Sequence, residues 1–133
     1  MGRASGIEIF SEHLSVATNT MSYTHLHNCI SRMVTIVYTA DATVGNRRVV
    51  MKVTDPAGNL IWLGKAGATQ PASTTYTYTF QPGIYRETSI IADSLQIPLP
   101  GEALWKAGFT VQVYDESNVS ASDSMEGNCV GEH

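Results

Sequence analysis

Hydroxyl and aromatic side chains alternate with a period of two along residues 74–80, Thr75, Thr77 and Thr79 against Tyr76, Tyr78 and Phe80. Successive side chains of a strand point to opposite faces, so the three rings share one face and the threonines the other; a helix would scatter the rings. Both residue types favour a pleated, half-buried surface. The pattern recurs from Met33, where Val34, Ile36, Tyr38 and Ala40 form one face and Met33, Thr35, Val37 and Thr39 the other. Val49, Met51 and Val53 then alternate with Arg48, Val50, Lys52 and Thr54. Asp55-Pro56-Ala57-Gly58-Asn59 is a turn, Pro presetting φ and Gly supplying a positive φ, before the chain re-enters a strand at Leu60-Ile61-Trp62-Leu63. This spacing predicts a hairpin over residues 47–66 with a loop of about five residues. Leu95, Ile97 and Leu99 alternate again, and Pro98 and Pro100, lacking amide donors, push that strand toward a sheet edge or its own end. Residues 84–93 read as a short strand, Leu104 to Gly108 as a turn, and Phe109, Val111 and Val113 as the last clear strand. No segment sustains helical apolar spacing.

Strands separated by turns at roughly ten-residue intervals indicate a β-sandwich or barrel. The long connections at 64–73 and 81–93 favour a jelly roll over a simple meander, because they can cross the end of a sandwich. The expected architecture is all-β: a single jelly-roll-like antiparallel β-sandwich at residues 32–116, with an extended N-terminal arm at 1–31 and a polar C-terminal tail at 117–133. The Ser/Thr/Asn-rich run up to Thr24 suggests the arm, and the polar residues after Asp115 suggest the tail. The remaining strands of an eight-stranded jelly roll would come from the first thirty residues and from 84–93.

Composition narrows the functional classes. A chain of 133 residues, 43% of them apolar, forms one domain with a core that needs neither metals nor disulfides. Charged residues are scarce at 15%, which fits a surface partly covered by partners and fits a Ser/Thr-rich exterior equally. The net charge of −4 argues against a broad nucleic-acid surface, and the one adjacent basic pair is Arg47-Arg48 beside a turn. No apolar run reaches the length of a membrane span, and the first residues lack the apolar centre of a signal peptide; neither a nucleic-acid nor a membrane partner is expected.

Candidate chemistry is thin. His25, His27 and Cys29 occupy alternate positions, so in a strand all three would point one way and could hold Zn²⁺, with Cys129 or His133 as fourth ligand if the termini meet. Incidental histidines in a polar arm are the plainer reading, and no metal or other cofactor is expected. Cys29 and Cys129 flank the sandwich; free thiols are expected, with a late-forming bridge as the alternative. No glycine-framed serine elbow, phosphate-binding glycine loop or dinucleotide fingerprint is present. A hydrolase would need His25 or His27 beside a carboxylate, and no catalytic residue is assigned. Asp115, Glu116, Asp123 and Glu126 do not match the helix-loop-helix calcium spacing and read as a solvated tail. Asn118-Val119-Ser120 is a glycosylation triplet of a kind common by chance. Trp62 and Trp105 could stack on sugars, but Trp62, between Ile61 and Leu63, fits core or subunit contact better.

Asp41-Ala42-Thr43-Val44-Gly45-Asn46-Arg47-Arg48, running on to Asp55 and Gly58-Asn59, resembles a family of small tailed-phage virion proteins. So do Tyr76-Thr77-Tyr78-Thr79-Phe80 with Pro82-Gly83, Leu95 to Pro100, and Ala107 to Asp115, together covering about residues 33–116. The resemblance implies a structural virion protein, first a capsid decoration (cement) protein of jelly-roll type that binds the major capsid protein on the outer capsid and ties capsomers together. It also implies self-association, with trimers suiting capsid threefold positions, and a place on the virion surface. Other virion parts (neck, tail or fibre base) and a carbohydrate-binding β-sandwich module are the alternatives. A closed sandwich would hide its sheet edges, limiting stray pairing at high local concentration.

Overall fold

The alternating strands close into two sheets stacked face to face. The computed structural model describes residues 9–82, 87–91, 93–100 and 103–132, with the backbone alone at 87–91. Its strands are β1 (Ile9–Val16), β2 (Thr20–Thr24), β3 (Cys29–Thr39), β4 (Val49–Thr54), β5 (Leu60–Lys65), β6 (Thr75–Pro82), β7 (Glu87–Ile91), β8 (Ser94–Leu99), β9 (Ala103–Trp105), β10 (Thr110–Asp115) and β11 (Ser124–Glu132). The larger sheet runs β1-β11-β3-β6-β8-β7, with β9 added to β3, and the smaller runs β2-β10-β4-β5. Neighbours are antiparallel except β6 and β8, which are parallel. The architecture is a jelly-roll-like β-sandwich with no helix among the described residues.

The faces predicted from the alternation are the faces that pack. Val34, Ile36 and Tyr38 of β3, Tyr78 and Phe80 of β6, and Leu95, Ile97 and Leu99 of β8 are all buried, and so are Val49, Met51 and Val53 of β4 and Val111 and Val113 of β10 in the facing sheet. Each such side chain contributes roughly 1.5–3 kcal/mol on leaving water. The 47–66 hairpin forms as the turn chemistry dictates: Thr54 pairs with Leu60, Gly58 takes φ +87°, and the Asp55 carboxylate accepts the amides of Ala57 and Asn59 at 3.0 and 2.8 Å. Pro98 falls next to the last residue of β8, opposite Gln81 of β6, so its missing donor sits at the strand's end.

Three expectations need correction. The segment read as an arm holds β1 and β2: β1 pairs with β11 from Ile9–Glu132 to Val16–Met125, and β2 pairs with β10, burying Met21. The segment read as a tail holds β11, which lies between β1 and β3 in the larger sheet. Its inner positions are Met125, Gly127, Cys129 and Gly131, and two glycines among them hide a period of two that apolar residues would have displayed. Gly127 is required where it stands, because a Cβ there would lie 2.7 Å from Ile36 Cδ1. Finally, Leu104 and Trp105, read as the start of a turn, belong to the short strand Ala103–Trp105, which pairs with Cys29–Ser31 and buries Trp105.

Candidate functional site

The β2–β3 connection decides the fate of the zinc candidate. β2 stops at Thr24, so residues 25–28 form a turn and the strand alternation does not carry through. His25 and Cys29 point inward and His27 outward. The His25 backbone is clamped to the chain before β10, its N–H donating to the Phe109 carbonyl and its carbonyl accepting from Gly108, both at 2.9 Å. Cys29 Sγ lies 3.3 Å from His25 Nδ1, and the Tyr23 ring meets the imidazole edge-on with centroids 5.3 Å apart. The Tyr23 hydroxyl donates to Cys129 Sγ at 2.9 Å. No group of three metal-ligating side chains occurs among the described residues, and His133 lies outside them.

Both cysteines are free and buried. Cys129 pairs with Val34, five residues along β3 from Cys29, a separation of roughly 16 Å at about 3.3 Å per residue and too far for a bridge. Burial pushes the Cys29 thiol up to about 11 and the His25 imidazole down. The pair is a neutral thiol beside a neutral imidazole, the reverse of an activated thiolate–imidazolium nucleophile. A cavity of about 450 Å³ opens beside it, between β1 and the turn, walled by Phe10, Glu12, His25, Leu26, His27 and Cys29. Both candidate histidines and the Glu12 carboxylate are among its lining.

The acidic cluster is dispersed by the fold and largely consumed by it. Asp115 accepts the amides of Arg48, Ser117 and Val119 at 2.9–3.0 Å. Glu116 accepts from Lys65 at 2.6 Å, and Glu126 lies 3.8 Å from His13 on the surface. Asp123 is fully buried and accepts from Arg47 Nε at 3.0 Å, the Tyr38 hydroxyl at 2.7 Å and the Asp41 amide at 2.8 Å. Arg47, also fully buried, donates further to Asp41 Oδ1 and to the carbonyls of Thr43 and Gly45. The hydrogen bond to Asp123 raises the guanidinium's affinity for its proton, and the Ser120 hydroxyl heads the causes that lower the Asp41 carboxyl. Gln70 continues the network, accepting from the Tyr78 hydroxyl at 2.8 Å and donating to the Tyr38 carbonyl at 2.9 Å. These oxygens are committed to holding loops. The glycosylation triplet is likewise a tie: Asn118 accepts from Asn19 at 2.8 Å, and Ser120 donates to Asp41 at 2.6 Å.

The functional surface with the clearest physical signature is the edge of the smaller sheet. Among the described residues β5 pairs with β4 alone, and Leu60, Ile61 and Leu63 are 59%, 46% and 40% exposed. A bulge at the Val53–Thr54 position leaves Ile61 unmatched in the ladder. Trp62 is half-buried, its ring lying where a Cβ on Gly64 would be, so Gly64 is what lets the indole fold back over the strand. With Trp105 in the core and Trp62 folded back, neither indole forms an open sugar platform. The expectation that the sandwich hides its edges also fails here, since β5 presents an apolar one.

No family model and no curated protein match this chain. Solved structures with similar arrangements include VP2 of an infectious bursal disease virus subviral particle, with TM-score 0.44 and 10% identity over 96% of this chain and 33% of that one. PfGH50B gives 0.45 and 8% over 97% and 22%, and a CocE/NonD family hydrolase from Staphylococcus aureus gives 0.41 and 10% over 93% and 32%. This chain thus spans between about a fifth and a third of the length of these three solved chains.

Proposed function

We propose that the protein is a structural virion component of a tailed phage, a decoration protein that binds the outer capsid and ties neighbouring capsomers together. The observation that carries this reading is β5, an edge strand paired on one side with β4 and carrying three exposed apolar side chains, on a protein otherwise sparing of charge. Such an edge is a liability in a free protein and an asset in one whose work is docking. The resemblance over residues 33–116 supplies the kind of assembly.

The test is co-sedimentation of purified protein with capsids of the virus that encodes it. Saturable binding at a fixed ratio to the major capsid protein is expected. Protein that stays in the supernatant, together with tryptophan fluorescence quenched by oligosaccharides, would replace this reading with a glycan-binding one.

A further inference from the structure

We propose that β5 is a homotypic contact, through which two copies of this chain join edge to edge and antiparallel about a twofold axis. This rests on the assembly role above and names a surface used in it. Pairing there would extend the four-stranded sheet into one of eight strands.

The sheet edges differ in the side chains they present. β1, at one edge of the larger sheet, carries Glu12 and His13, and β2, at the other edge of the smaller sheet, carries Thr20, Ser22 and Thr24. Charged and short polar side chains discourage strand addition. From Asn59 to Gly64 the β5 edge has no charge at all, and Leu60, Ile61 and Leu63 are exposed.

A second copy fits this edge because the strand is complementary to itself. In an antiparallel register centred on Trp62, Ile61 faces Leu63 of the second copy and Leu63 faces its Ile61, giving two apolar cross-strand pairs on one face. Leu60 faces Gly64, which has no side chain to clash, and Lys65 faces Asn59. No like charges meet, and Lys65 is already neutralised within its own chain by Glu116 at 2.6 Å. The edge is one short strand, smaller than the roughly 800 Å² per partner of a stable interface, so association is weak in dilute solution and becomes significant where copies are crowded together. A twofold contact makes dimers, so this edge does not supply the trimer that capsid threefold positions would suit.

Light scattering from micromolar to millimolar protein tests the proposal. The mass is expected to rise from 14.4 kDa toward twice that value, and Leu63→Lys and Ile61→Lys are each expected to weaken association about tenfold. Both positions are exposed, so the variants should melt with the parent. A protein monomeric at millimolar concentration, a trimer, or a dimer unaffected by both substitutions would overturn the proposal. If the protein is monomeric and Leu63→Lys abolishes capsid binding, the edge takes a capsid strand, which ends the second-copy reading while the virion role stands. A β5-dependent dimer that never binds capsids would do the reverse.

Discussion

Arg47 and Asp123 form an ion pair in which both side chains are fully buried, Nε standing 3.0 Å from Oδ2. The two residues are 76 positions apart, and their contact fastens the loop before β4 to the loop before β11. Removing one member of a buried pair strands the other charge. Arg47→Met is therefore expected to cost about 3–5 kcal/mol, read from urea unfolding. The double variant Arg47→Met with Asp123→Leu should recover part of that loss. Additive costs would mean that the pair is not coupled.

What the sequence revealed and what it concealed follow from the same rule. Where inner positions are large and apolar, as in Val34-Ile36-Tyr38 and Tyr78-Phe80, the period of two announces the strand and its buried face. In β11 the inner face is Met125, Gly127, Cys129 and Gly131, and small residues that allow close approach look like loop. β1 fails for the complementary reason: as an edge strand with exposed Ser11, Glu12 and His13, it has too little buried surface to show a pattern. The trio at His25, His27 and Cys29 was misleading because a turn, and no strand, joins Thr24 to Cys29. Arg47 attracted notice only as a surface basic residue, since nothing local marks an arginine that will be buried against an aspartate far along the chain.

Acid should weaken the fold in part through His25. Burial lowers its folded pKa below the ordinary value of 6.5. Above that value both folded and unfolded imidazoles are neutral, and His25 contributes no pH dependence. As pH falls below it, the unfolded chain takes up the proton first and stability declines until the folded value is reached. His25→Gln should flatten that part of the stability–pH curve relative to the parent. Superimposable curves would show that His25 is solvated.

Gly127 should resist even the smallest side chain. A Cβ there meets Ile36 Cδ1 at 2.7 Å and the Thr35 carbonyl at 3.2 Å. Gly127→Ala is expected to destabilise by about 1–3 kcal/mol, and adding Ile36→Val, which removes the obstructing methyl, should restore part of it. A neutral Gly127→Ala would mean that β11 and β3 lie farther apart than described.

Both thiols should be silent in the folded protein. Cys29 and Cys129 are buried, and burial raises both thiols, so little thiolate is available to react. A thiol reagent is expected to label neither at neutral pH and both after unfolding, with no intramolecular disulfide under air. Rapid native labelling would place at least one sulfur on the cavity surface.

The central claim, that this chain is a structural part of a virion, is tested most directly by looking for it in particles. Particles of the virus that encodes it, purified through a density gradient and probed with an antibody to this protein, should carry it in constant ratio to the major capsid protein across the particle peak. Its absence from that peak, with the protein recovered instead in the soluble fraction of infected cells, would contradict the account.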